Sequence, residues 1–280
     1  MNNNKKVALA VLTKGYTDLE SYSTLINRNN LIHQNILTKT NLEYDMIIFH
    51  EGDITPEHIE HITANSQPTL IFKNVKECGN GLAFDDTRNV INPTLCPPTE
   101  LSDRFPLGYK HMCHFWSIDF FNYLSEYDYV LRIDEDCYVD RVDPSVFEAI
   151  VEQGITFAVP LICEVLDAPE VIVGLDALTK NFLTERGLEM PVAYEDVRAP
   201  NTNFMIVNLK YFREHKLVQE YLQEVDKNHG IYSNRWGDAP IWGIILYILS
   251  GEDFFELSDT GYLHGSHNHY VNPIQYKYEL

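Results

Sequence analysis

Asp134, Glu135 and Asp136 stand in a row after Tyr127-Asp128-Tyr129-Val130-Leu131-Arg132-Ile133. Carboxylates are hard oxygen ligands, and two of them on one face suit a divalent cation such as Mn²⁺ or Mg²⁺. Asp134 and Asp136 are two apart, so an extended backbone points both side chains the same way. A cation held there would neutralise a diphosphate. An acidic triplet also arises by chance and is commonly a solvated turn. The preceding run favours the metal reading. Its aromatic and β-branched residues predict a largely buried strand, and ligands bind at the carboxyl ends of strands in an open α/β sheet.

Three other segments carry chemistry. Arg235-Trp236-Gly237-Asp238-Ala239-Pro240 precedes an apolar stretch. Either Asp238 caps a helix and Arg235 pairs with an acid, or Asp238 binds an acceptor hydroxyl while the Trp236 indole stacks on a sugar face. His264, His267 and His269 follow Gly261-Tyr262, as an inert surface tail or as a loop in which His264 completes a metal site. In Tyr109-Lys110-His111-Met112-Cys113-His114-Phe115-Trp116, helical spacing sends Met112, Phe115 and Trp116 to the core. Tyr109, Lys110 and His111 then lie near a helix start, where phosphate is attracted.

The elements that must position these residues alternate. Strands are expected at 7–12, 44–50, 69–72, 127–134, 155–161 and 204–209. Helices are expected at 18–35 (with Asn27, Asn29 and Asn30 as poor helix formers that would end it early), after Thr55-Pro56, at 109–124, 174–188 and 211–228, and at 240–249, where Asp238 is a candidate cap. Such alternation predicts a mostly parallel sheet. Residues 76–106, rich in Gly and Pro, read as a long functional loop or lid. No repeat or linker divides the chain, so one domain is expected over residues 1–280. Residues 1–140 would form a nucleotide-binding half and 141–280 an acceptor-binding half.

The formal net charge of −20 discounts nucleic acid and anionic membrane as partners. A phosphorylated ligand would then need a local cation. The five cysteines show no zinc spacing and read as free thiols, with Cys78 and Cys96 the one pair that flanks a loop. No run of some 18 apolar residues predicts a membrane span, and no signal peptide is recognised. The chain is expected to be cytoplasmic, or else a trimmed catalytic domain.

The Asp-x-Asp form is that of nucleotide-sugar glycosyltransferases. The order Tyr109-Lys110-His111-Met112-Cys113, Arg132-Ile133-Asp134-Glu135-Asp136, Arg235-Trp236-Gly237-Asp238-Ala239-Pro240 and Gly261-Tyr262-Leu263-His264 resembles the fungal α-1,2-mannosyltransferases, glycosyltransferase family 15. There the corresponding stretches are similar to Tyr-Arg-His-Met-Cys, Trp-Arg-Val-Glu-Pro-Asp, Arg-Trp-Gly-Asp-Ala-Pro and Gly-Tyr-His-His. The likeness spans about residues 100–140 and 200–270. It implies a GT-A fold, GDP-mannose as donor, Mn²⁺ and retention of anomeric configuration. It also implies metal-binding roles for Asp134 and His264 and a donor contact at Tyr109. The family's Glu proposed as nucleophile falls on Met205, and the membrane anchor of its Golgi enzymes has no counterpart.

The combined expectation is an α/β, single GT-A-type domain with a mixed, mostly parallel sheet flanked by helices. It would transfer a sugar, most simply mannose from GDP-mannose, to a glycan or other hydroxyl acceptor, with Mn²⁺ or Mg²⁺ on Asp134, Asp136 and His264. Donor contacts are expected from Thr13, Tyr109, Lys110, His111, Arg132, Asp134 and Asp136, and acceptor contacts from Arg235, Trp236 and Asp238. Asp238, Glu195 and Asp196 are the catalytic candidates. The rivals are a nucleotidyltransferase making a sugar nucleotide and a non-catalytic glycan-binding relative.

Overall fold

Val7–Leu12 is an unbroken apolar run, the pattern of a strand covered on both faces, and it forms β1 near the middle of a seven-stranded sheet. The computed structural model describes residues 5–77, 83–90, 99–251 and 254–272. After β1 come α1 (Ser23–Asn35), β2 (Tyr44–His50), α2 (Pro56–Asn65) and β3 (Leu70–Asn74). Thr55 caps α2 by accepting the His58 N–H, with Pro56 in the first turn. Next are α3 (Leu107–His114), a π-helical stretch Phe115–Asp119, α4 (Phe120–Tyr123), β4 (Tyr129–Ile133), β5 (Cys137–Arg141), α5 (Pro144–Gln153) and β6 (Phe157–Val159). The chain continues through α6 (Leu175–Thr184), β7 (Phe204–Asn208), α7 (Leu209–Glu214), α8 (Lys216–Asn228), α9 (Gly230–Asn234) and α10 (Asp238–Ile244). A second π-helical stretch, Ile245–Ser250, leads to β8 (Phe255–Glu256), β9 (Gly261–His264) and β10 (His269–Val271).

The large sheet has the order β3-β2-β1-β4-β7-β6-β8. Only β7 runs against its neighbours, so the sheet is mixed and mostly parallel, as expected. Reversal of β7 brings its start to the edge where β1, β2 and β4 end. Phe204 pairs with Ile133, and the Asp134 N–H donates to the Asn203 carbonyl at 2.8 Å. A second, antiparallel sheet, β10-β9-β5, ties the tail to the segment after the acidic triplet. Side chains alternate across β1: Ala8 and Ala10 join one apolar core, Val7 and Leu9 the other.

Several boundaries differ from expectation for local reasons. The Asn-rich helix does not end early, because Arg28 and Asn29 are buried and partnered. Arg28 donates to Asn29 Oδ1 at 3.0 Å and to the Ile133 carbonyl at 2.7 Å. The helix expected over 211–228 is two helices broken at His215, whose ring accepts the Val218 N–H. β5 and α5 were not expected, although Asp143-Pro144 and a left-handed Gly154 mark the ends of α5. Cys113, Cys137 and Cys163 are free thiols, whereas Cys78 and Cys96 lie outside the described residues. Much of the expected loop at 76–106 lies there too. Its described part is pinned by Arg88, which donates to both Asp119 oxygens at 3.0 and 2.9 Å. Among the described residues no helix is long and apolar enough to cross a membrane.

Candidate active site

The strand expected to run through Asp134 stops at Ile133. There the chain turns, and the Cys137 N–H donates to the Asp134 carbonyl at 3.1 Å. The two aspartates therefore meet different neighbours, which corrects the picture of an extended pair sharing one ion. Asp134 takes Arg132 on both oxygens, Nε to Oδ1 at 2.7 Å and Nη2 to Oδ2 at 2.9 Å. Nη1 of the same guanidinium holds Asp238 Oδ2 at 2.5 Å, and the group lies over the Trp116 ring. Asp134 is thus engaged by a cation already. Burial still holds its pKa above the usual carboxylate value against the pull of Arg132.

Asp136 turns to the tail. Its carbonyl accepts the Gly265 N–H at 2.8 Å, and its Oδ2 accepts the Ser266 N–H at 3.0 Å. A Cβ on Gly265 would stand 2.9 Å from the Tyr138 ring and 3.2 Å from the Asp136 carbonyl oxygen, so a bare backbone is needed here. β5–β9 pairing sets Cys137 opposite His264, leaving His264 Nε2 3.4 Å from Asp136 Oδ2. Burial disfavours charge on Asp136, but the Ser266 hydrogen bonds and His264 outweigh it and lower its pKa. Burial lowers that of His264 despite Asp136, which keeps the imidazole neutral and its lone pair available.

Asp136, Cys137 and His264 offer ligand atoms within 4.8 Å of one another. Cys137 is fully buried, donates to the Asn203 carbonyl, and has its pKa pushed well up by burial, so it stays a thiol. Asp136 and His264 are the pair that fits a divalent cation, with one carboxylate oxygen and one imidazole nitrogen. His264 is braced from behind: Nδ1 lies 2.9 Å from Asn203 Nδ2, and Asn203 Oδ1 accepts the Tyr262 hydroxyl at 2.5 Å. Such outer support orients metal-binding imidazoles. An Nε2 ligand would carry the ring proton on Nδ1, which requires the Asn203 amide turned over, its oxygen accepting from Nδ1 and its nitrogen donating to the Tyr262 hydroxyl oxygen.

A cleft of about 380 Å³ adjoins the acidic turn. Leu12, Thr13, Tyr16, Glu51, Phe84, Tyr109, Met112 and Glu135 are among its walls. Glu135 accepts from the Thr13 hydroxyl at 2.6 Å and the Tyr16 hydroxyl at 2.9 Å. Thr13 and Tyr109, both expected near a donor, line this cleft. Tyr16, Glu51 and Glu135 were not foreseen there. The rule that ligands meet the carboxyl ends of parallel strands would have pointed to Glu51, directly after β2.

Other expected site residues stand elsewhere. Lys110 is buried and donates to the Tyr232 carbonyl at 2.7 Å, so it does not face a phosphate. His111 is buried too, between the Tyr232 hydroxyl and Asp86. Arg132 is sealed under the two aspartates and orients them instead of touching a donor. Trp236 is fully buried on Gly230, and its N–H donates to the Val173 carbonyl, which leaves no indole face for a sugar. Asp238 begins α10 without capping it and is 5% exposed against Arg132, so it is not placed to hold an acceptor hydroxyl. Arg235 is clamped by Asp167 at 2.6 Å and the Tyr109 hydroxyl at 2.7 Å, over Phe105. That is the ion pair of the structural alternative. Glu195 and Asp196 are exposed on a short turn, and among the described residues no hydrogen bond or ion pair joins them to Asp136 or His264. His267 and His269 are exposed.

The family described as glycolipid 2-alpha-mannosyltransferase matches residues 193–275. A probable mannosyltransferase of Saccharomyces cerevisiae, KTR4, is 25% identical over 181 residues, covering 56% of this chain and 38% of its own. The glycolipid 2-alpha-mannosyltransferase of the same yeast is 30% identical over 173 residues, again 56% and 38%. Over these stretches the chain is similar to the fungal mannosyltransferases. It spans about two fifths of the length of these two yeast relatives. Two solved structures share its fold. Ktr4p from S. cerevisiae in complex with GDP superposes with a TM-score of 0.71 at 20% identity, over 93% of this chain and 71% of its own. Core-mannan synthase A from Aspergillus fumigatus, in a Mn/GDP form, gives 0.73 at 21% identity, over 97% and 77%. The fold is thus the GT-A type that the resemblance implied. In this fold Met205, which the resemblance sets against the family's Glu, is fully buried on β7 and pairs with Arg132.

Proposed function

We propose that this chain is a metal-dependent glycosyltransferase that moves mannose from GDP-mannose to a hydroxyl of a glycan or similar acceptor. The observation that carries the reading is the Asp136–His264 pair beside a cleft at the carboxyl edge of β1, β2 and β4. The relatives' names supply the sugar, and the GDP and Mn in the two matched structures supply the nucleotide and the metal. Residues before about 140 build the donor cleft. Later residues contribute His264 and the acceptor side.

Asp136 and His264 would hold a divalent cation, which would supply Lewis-acid charge for a departing diphosphate. Acidic walls at Glu51 and Glu135 make such a charge necessary. Asn203 and Tyr262 orient the His264 ring, and Arg132 offsets the charge of Asp134 at the lip. Met205 is apolar and buried, while Glu195 and Asp196 lie on an exposed turn, so none of these three is placed as a nucleophile. Retention then proceeds on the front face, where the leaving phosphate takes the acceptor hydroxyl's proton. The first turn is not a Gly-rich phosphate cradle: its one glycine, Gly15, gives its N–H to Asp53 Oδ2. That speaks against a nucleotidyltransferase.

A screen of nucleotide sugars for Mn²⁺-dependent donor hydrolysis tests the reading, with GDP-mannose expected to be turned over fastest. Failure of every nucleotide sugar would refute it. On the front-face route, replacing Glu195 and Asp196 together by amides leaves turnover within roughly tenfold, about 1.4 kcal/mol of barrier. A loss of several orders of magnitude, or a glycosylated Glu195 or Asp196 in a mass spectrum, would establish the covalent route instead.

A further inference from the structure

Glu51 follows β2 at the edge where Thr13 follows β1 and Asp134 follows β4. β1 lies between β2 and β4. Two strand spacings, about 10 Å, therefore separate Glu51 from the acidic turn across the mouth of the cleft. That is the scale of a nucleoside. A diphosphate at the Asp136–His264 end would send its base toward Glu51, between the apolar walls of Phe84, Tyr109 and Met112.

The two cleft glutamates are unequal. Both oxygens of Glu135 already accept hydroxyl hydrogens, from Thr13 and Tyr16. Among the described residues the carboxylate of Glu51 has one distant cation, Lys76 Nζ at 4.0 Å, and its side chain is 28% exposed. It is a half-buried acceptor facing the cleft and lightly engaged. An ionised carboxylate accepts on two oxygens side by side and donates nothing. Guanine matches that pattern with two adjacent donors, the N1–H and the 2-amino group. Uracil places one N–H between two carbonyls, which a carboxylate repels. The pairing edges of adenine and cytosine offer a donor beside an acceptor.

We propose that Glu51 is the specificity-determining residue of the donor cleft and reads guanine by accepting from N1–H and the 2-amino group. The inference rests on the donor-site reading above. Charge-assisted hydrogen bonds of this kind are strong and geometrically selective, and a site built to receive an N–H rejects the analogue lacking it.

The test uses the full chain with Mn²⁺ and titrates GDP, IDP, ADP and UDP by calorimetry against wild type, Glu51→Ala and Glu51→Gln. Inosine lacks only the 2-amino group. Wild type is expected to bind GDP roughly tenfold tighter than IDP, the worth of one such hydrogen bond, and to bind UDP and ADP more weakly still. In Glu51→Ala the GDP and IDP affinities should fall within about twofold of each other, with the Mn²⁺ requirement and thermal melting unchanged. Equal GDP and IDP binding by wild type, or a GDP preference that survives in both variants, would overturn the assignment. Wild type that binds UDP more tightly than GDP keeps the nucleotide cleft but refutes Glu51 as a guanine reader. Wild type that binds none of the four removes the donor site itself, and the assignment with it.

Discussion

Asp136 and His264 meet because a backbone carbonyl and a carboxylate oxygen of one residue both receive N–H groups from the loop that carries the other. Asp136→Asn should abolish Mn²⁺-dependent nucleotide binding in a folded protein, and His264→Ala should raise the Mn²⁺ concentration for half-maximal binding. His267→Ala should leave that concentration unchanged. Calorimetric metal titrations decide all three, and equal curves for wild type and His264→Ala would dismiss the ligand assignment. Arg132 poses the opposite case, a buried guanidinium between two carboxylates. Arg132→Met leaves both uncompensated and should cost about 3–5 kcal/mol of stability, read by denaturant unfolding. The sequence held a clue to Arg132. Residues 132 and 134 share the same two-residue spacing that suggested a pair at 134 and 136. It held one for the turn that separates the aspartates as well, since Asp is itself a turn former, but the strand-like spacing of 134 and 136 pointed the other way.

At the scale of elements, strands were legible where apolar runs are long. β1 and β2 fall on the expected residues because runs buried on both faces leave little ambiguity. Helix interiors were legible and their breaks were not. His215 splits α7 from α8 through a ring nitrogen, and two π-helical stretches interrupt α3–α4 and follow α10, with no period of their own in the sequence. Pinning of the long loop was hidden as well, because it rests on a buried network. His114 bonds Asp119 through Nδ1 at 2.9 Å and Asp226 through Nε2 at 2.8 Å, beside Arg88. Burial works against a charged His114, but the two carboxylates outweigh it and raise its pKa above 6.5. A raised folded value means that the stabilisation is fully present below about 6.5 and is lost as pH climbs through the folded pKa. The stability difference between wild type and His114→Gln should therefore be largest below about pH 6.5 and shrink at higher pH. Melting temperatures of both proteins across that range provide the check, and a constant difference would contradict the linkage.

Over the whole molecule, the α/β class and the site's place at the strand ends followed from alternation and from one acidic triplet. The apportioning of roles did not, because it depends on which side chains are already engaged: Trp236 by Gly230 and Val173, Lys110 by Tyr232, Asp238 by Arg132. The net charge of −20 also acts at this scale. It concentrates cations around the protein, so Mn²⁺ binding should weaken as salt rises from about 0.01 M to 0.15 M and the screening length shrinks from about 30 Å to about 8 Å. Affinity independent of salt would show that the local pair alone sets it.

The antiparallel pairing of β5 with β9 has a consequence in time. Asp136 and Ser266 are 130 residues apart in sequence. Synthesis runs from the N-terminus, so a nascent chain can close the parallel core of β1, β2, β3 and β4 long before His264 leaves the ribosome. Until β9 docks, Asp136 has no imidazole opposite it, and the early core is blind to the ion. Metal capture would then report that β9 has docked, and a chain still lacking it would stay chemically silent.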